Sequence, residues 1–143
     1  MSSPATNARL VLMSLLEEEF ASDNFAIRPD RLDGSLGHDG AVIGVYPVRE
    51  QPNPSDRMEL MTTLQVQLFG VWTPQSDPNE VVDPTTAEQW AARFRQKIAD
   101  YQGVGDATVW WFQLDGIEYV TDPTGNITRF TATVTARGAN PAY

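Results

Sequence analysis

The sequence predicts an α+β fold: a mainly antiparallel sheet of about four strands, with two helices packed on one face, in the order helix-strand-strand-helix-strand-strand. Three observations predict it. The stretch Val109–Ala136 places two runs rich in aromatic and β-branched residues on either side of Asp122-Pro123-Thr124-Gly125-Asn126, a cluster of turn formers. Glu59–Trp72 alternates Leu60, Leu64, Val66 and Leu68 with Met61, Thr63, Gln65 and Gln67, the period of a half-buried strand. Two further segments repeat apolar residues at helical spacing.

The first helix covers Ala8–Phe20, where Ala8, Leu12, Leu15, Leu16 and Phe20 form one stripe. Thr6 or Asn7 is its expected N-cap, and residues 1–7 are expected to be a flexible arm. Glu17, Glu18 and Glu19 crowd its last turn, where the helix dipole disfavours negative charge. A solvated face is the plainer reading, and a basic partner would relieve the anomaly. Phe25–Ile27 is a candidate short strand. Ala41–Tyr46 is a stronger one, expected to stop at Pro47. Prolines at 47, 52 and 54 make residues 47–57 read as a long loop, and residues 73–83 as a second. Disorder of both loops in a free subunit is expected, since ordering them costs entropy that an interface must repay.

The second helix has the clearer start. Pro84 suits a first-turn position, and Thr85 with Glu88 suggests a capping box. Ala87, Trp90, Ala91, Phe94, Ile98 and Tyr101 then mark a core-facing stripe, closed by Gly103. In the final hairpin, Phe130, Ala132, Val134 and Ala136 point inward and Arg129, Thr131, Thr133 and Thr135 outward. Trp110, Phe112 and Leu114 share a face with which Ile117 and Tyr119 fall out of step, so a bulge is expected at Asp115-Gly116, bending the hairpin. Residues 138–143 read as a flexible end. The whole chain, 1–143, reads as one domain.

Composition narrows the functional classes. The chain carries 10 Lys and Arg against 19 Asp and Glu, a formal charge of −9, with the basic residues scattered. Sequence-specific DNA binding is not expected of such a surface, although an acidic surface can keep a protein from sticking to DNA. There is no cysteine, which removes disulfides and thiol chemistry. No apolar run approaches the roughly 20 residues that span a bilayer, and the N-terminus has no signal pattern, so no membrane partner and a cytoplasmic site of synthesis are expected.

Catalytic groups are sparse. The single histidine, His38, lies in Gly34-Ser-Leu-Gly-His-Asp-Gly40, where Ser35, His38 and Asp39 are too close in sequence to adopt triad geometry readily. The same loop lacks the Lys and Ser/Thr of a phosphate-binding loop. Asp30, Asp33 and Asp39 match no calcium-loop spacing. No catalytic, metal or cofactor site is expected.

Several segments are familiar in their order and spacing: Arg9-Leu-Val-Leu, Ser35-Leu-Gly-His-Asp-Gly-Ala-Val-Ile-Gly-Val-Tyr-Pro47, Val82-Asp-Pro84, Arg93-Phe-Arg95, Trp110-Trp-Phe, Tyr119 and Asp122-Pro-Thr-Gly-Asn-Ile-Thr-Arg-Phe130. With them the chain resembles the tail terminator proteins of long-tailed (siphovirus-type) bacteriophages, particularly the actinobacteriophage group, over roughly residues 5 to 140. The resemblance implies a lambda-type terminator-like fold and a homo-hexameric ring. Such rings cap the tail tube, stop tube polymerisation and present the joining surface to the head. It implies a structural virion protein at the neck, not an enzyme, whose partners are itself, the tail-tube protein and head–tail connector proteins. Genomic DNA would pass through without specific binding.

The family carries no short site motif, so interface positions come from residue chemistry. Arg49, Arg57, Trp110, Trp111 and Arg129 are the candidates for ring or tube contacts, since aromatics and Arg anchor buried interfaces. For both tryptophans core packing is the plainer reading. A ring of such acidic subunits lets a duplex slide, and Asp77, Glu80, Asp106, Asp115 and Glu118 are candidates to line its lumen. A head–tail connector or tail completion ring is the alternative in the same particle. A monomeric small-molecule enzyme or binding domain is the alternative from another class, and it would need a pocket with converging polar groups.

Overall fold

A computed structural model of the chain describes residues 3–20, 25–28, 40–71, 84–103, 108–121 and 127–142. The elements run α1 (Pro4–Phe20), β1 (Phe25–Arg28), β2 (Gly40–Asn53), β3 (Asp56–Val71), α2 (Pro84–Asp100), β4 (Trp111–Thr121) and β5 (Ile127–Ala139). One five-stranded sheet has the order β1-β2-β3-β5-β4. The pairs β2·β3, β3·β5 and β5·β4 are antiparallel, and short β1 is parallel to β2 at one edge. The α+β class, the two helices and the mainly antiparallel sheet are therefore as the sequence predicts.

Both helices cover one face of the sheet. The α1 stripe Ala8, Leu12, Leu16 and Phe20 is buried, as are Ala91, Phe94 and Ile98 of α2. They pack on Ile43, Val45, Leu64, Val66, Leu68, Phe130, Ala132 and Val134, the inward set that alternation selects. Phe94 meets Phe130 in a tilted pair with ring centroids 5.7 Å apart. Burying these side chains stabilises the fold by about 25 cal/mol per Å² of apolar surface removed from water.

Of the crowded acids of α1, Glu17 and Glu18 stay exposed, as a solvated face implies, while Glu19 is half-buried against α2. Arg93 of α2 donates from Nε to Glu19 at 2.9 Å and from Nη2 to the Glu19 main-chain carbonyl at 2.7 Å. Its guanidinium also lies 4.7 Å from the centroid of the Phe20 ring. Lys97 pairs with Glu18 at 3.1 Å. The basic partner that the last turn of α1 calls for is α2, so Arg93 and Lys97 offset the dipole and help orient the two helices.

Three expectations are corrected. Helix α1 begins at Pro4, not after Asn7. Ser3 is its cap, with Oγ accepting from the Thr6 amide at 3.1 Å and the Ser3 carbonyl from the Asn7 amide at 2.9 Å. The expected loop 47–57 is a hairpin continuing β2 into β3, so the disorder expected of it is replaced by ladder pairing from Pro47↔Leu64 to Asn53↔Asp56. Strand β1 covers β2 only as far as Gly44, so among the described residues β2 is an edge beyond it, where a proline costs no ladder bond on its open side. The turn is built by side chains: Asn53 Oδ1 accepts from the Ser55 amide at 2.9 Å and Asp56 Oδ1 from the Met58 amide at 3.1 Å.

Finally, β5 runs to Ala139, and buried Asn140 is pinned by bonds from its amide to the Met58 carbonyl (2.7 Å) and from Nδ2 to the Arg57 carbonyl (2.9 Å). The expected loop 73–83 lies outside the described residues.

Candidate functional site

The register of β4 against β5 shifts between Leu114 and Gly116, which leaves Asp115 as the bulged residue the sequence predicts. The bulge returns Ile117 and Tyr119 to the helix-side face and turns Asp115 and Glu118 to the face that carries no helix among the described residues. On that face Asp115 accepts from Thr135 Oγ1 at 2.6 Å and from Gln113 Nε2 at 2.8 Å. Thr135, expected to be wet, is buried by this arrangement.

A polar network continues from there. Gln113 Oε1 accepts from Arg137 Nη1 at 3.1 Å, and Arg137 donates through Nε at 2.8 Å and through Nη2 to Glu59 Oε1. Asn53 Nδ2 donates to the same Glu59 oxygen at 3.0 Å. Only 13% of the Glu59 side chain is exposed, so the ion pair is largely out of water and is held by surrounding donors. The Arg137 guanidinium lies 5.2 Å from the centroid of the Trp111 ring, stacking that ring at the sheet end.

Trp110 and Trp111 are 37% and 42% exposed, which overturns core packing as their main role. Arg49, on β2, and Arg57, beside the turn of the hairpin, are exposed. Arg129 pairs with Phe69 and Val120 through its backbone; its side chain lies outside the described residues. Of the lumen candidates, Asp77, Glu80 and Asp106 lie outside the described residues. Asp115 and Glu118 come together in a groove of 390 Å³ on the helix-free face, with Gln65, Thr131 and Thr133.

Sequence reasoning missed Arg137 and Glu59. Both were readable as outward positions on their strands, but their meeting depends on β3 lying beside β5, which periodicity does not reveal. It also missed an apolar groove of 450 Å³ between the first turns of α1 and the sheet end, lined by Pro4, Ala8, Leu60, Val109 and Ala136 among others.

Among the described residues no group of three or more His, Cys, Asp or Glu side chains could hold a metal ion. No described helix is long and apolar enough to cross a membrane. Ser35, His38 and Asp39, with Asp30 and Asp33, lie outside the described residues. What is described is a set of surfaces suited to contact: exposed aromatics at one sheet end, a polar helix-free face and two sheet edges.

No protein-family model matches the chain, and no curated protein sequence does. Among solved structures, a chain in the virion of a native gene transfer agent particle is similar over 98% of this chain and 100% of its own length. That match has a TM-score of 0.58 and 14% identity. A chain from the sheath/tube terminator structure of an extracellular contractile injection system (PVC, extended state) aligns with 94% of this chain and 59% of its own length. Its identity is 12% and its TM-score 0.39, too loose to carry argument. From end to end, this chain shares its fold with a component of a gene transfer agent virion.

Proposed function

We propose that the chain is a structural subunit of a phage-like tail: a terminator that assembles as a homo-hexameric ring on the end of the tail tube. There it stops further tube polymerisation and offers the joining surface to the head. The observation that carries this reading is the end-to-end fold match to a gene transfer agent virion chain, with neither chain left over. The resemblance of the sequence to siphovirus-type terminators, the actinobacteriophage group in particular, agrees with it.

A capping ring needs surfaces more than reactive groups. It must match the tube end on one side and deny the next tube subunit a site on the other. Exposed Trp110 and Trp111 suit such a contact, and Arg49 and Arg57 add exposed charge at the hairpin. A ring of subunits that each carry −9 repels the phosphate backbone, so genomic DNA passes through the lumen without specific binding; Asp115 and Glu118 are the described candidates to face it. In this reading the protein is assembled in the host cytoplasm and resides in the virion tail, at the neck beside head–tail connector proteins.

The test is native mass by light scattering over a range of concentrations, with and without purified tail-tube protein. A hexamer, or a monomer that closes into a ring on tube ends and halts their growth, is expected. A ring that ignores tube ends and binds portal-side proteins would make the chain a head–tail connector instead. A monomer at every concentration, indifferent to tubes, would overturn the ring.

A further inference from the structure

The sheet has two long edges that no described strand occupies: β2 from Val45 to Asn53, past the end of β1, and the whole outer side of β4. Such edges present unpaired N–H and C=O groups. Each carries, on adjacent residues, one exposed apolar side chain and one exposed charge. On β2 these are Val48, 55% exposed, and Arg49; on β4 they are Tyr119, 49% exposed, and Glu118. Val48 is the residue that the β2 register skips, so it is unpaired with β3.

We infer that β4 of one copy pairs antiparallel with β2 of the next, with Glu118 opposite Arg49 and Tyr119 opposite Val48. This deepens the ring proposed above and rests on it. Strand direction supports the pairing. From β2 through β3 and β5 to β4 every step is antiparallel, so β2 and β4 of one chain run in opposite directions. A second copy added head to tail therefore sets its β2 antiparallel to the first copy's β4 without a break in the alternation.

Facing supports the register. Arg49 pairs with Thr63 and Glu118 with Thr131, both on the helix-free face, so the two charges meet on one side. Tyr119, opposite Phe130, lies on the other side, with the helices. A parallel register would set Arg49 against Tyr119 and Val48 against Glu118, and a one-residue shift of the antiparallel register would make one of these two mismatches. Pro47 and Pro52 lack the N–H that an edge would offer, so they confine the pairing to Val48–Gln51 against Gly116–Tyr119. The two edges differ, so the contact is heterologous and propagates until rotation closes it.

The absence of cysteine makes a clean test available. Within one chain Arg49 and Glu118 stand on opposite edges, separated by three strand spacings, at least about 14 Å. That is beyond the roughly 7 Å limit between Cα atoms for a disulfide, so R49C/E118C cannot close on itself. Oxidised under ring-forming conditions, with tube ends if the ring needs them, it should give a covalent ladder up to the full ring. R49C or E118C alone should give at most dimers.

As a second measurement, R49E should raise the concentration needed for assembly about tenfold, and R49E/E118R should restore it. A ring that forms without a ladder, or a charge swap that restores nothing, would overturn the edge pairing and leave the ring standing. A monomer under all conditions would overturn both.

Discussion

A methyl group at Gly138 has nowhere to go. A Cβ built there would lie 1.9 Å from the Thr108 carbonyl oxygen and 3.3 Å from the Val109 Cα. The neighbour is backbone, in a segment tied down by bonds from the Trp110 amide to the Arg137 carbonyl at 2.7 Å and from the Gly103 amide to the Trp110 carbonyl at 2.8 Å. Relief therefore requires the segment carrying both exposed tryptophans to shift. Gly138→Ala is expected to lose about 2 kcal/mol of stability in urea unfolding, and to alter tryptophan fluorescence before the main transition. This constraint could not be read from the sequence, where Gly138 looks like the start of a tail. The α1 cap could have been: Ser3-Pro4 carries the same first-turn proline signal as Asp83-Pro84, and Thr6 and Asn7 were only the nearest cap-forming residues to the apolar stripe.

Arg137 ties three strands together, since it reaches from β5 to Glu59 of β3 and to Gln113 and Trp111 of β4. Arg137→Ala leaves a carboxylate that is mostly out of water without its cation. It is expected to cost about 3 kcal/mol, read as a fall in Tm, and Glu59→Leu with Arg137→Leu should recover a good part of that loss. At this scale legibility followed side-chain period. The helices, the alternation of β3 and the bulge at Asp115 were visible because each leaves a trace in the apolar pattern. The hairpin at 47–57 left none. There the prolines and charges of an edge strand imitate a loop, and the pairing that orders them comes from β3, not from their own composition.

For the whole molecule, charge sets the terms of assembly. Copies that each carry −9 repel, so association should strengthen as salt rises from about 20 mM to about 300 mM, where screening shortens from tens of Å to under 10 Å. Light scattering across that series checks it, and weakening with salt would mean that attraction between Arg49 and Glu118 outweighs the general repulsion. Acidity was plain in the sequence. Which surfaces face outward was not, because that depends on strand order: β5 comes last along the chain yet lies inside the sheet, between β3 and β4. This placement bears on how the protein is made. Until Ile127–Ala139 has left the ribosome, Leu64, Val66 and Leu68 of β3 and the strand β4 have no neighbour to close the gap between them. A translation product cut short before β5 would thus expose a sticky, half-built sheet, and a chaperone or a protease would be the first to meet it.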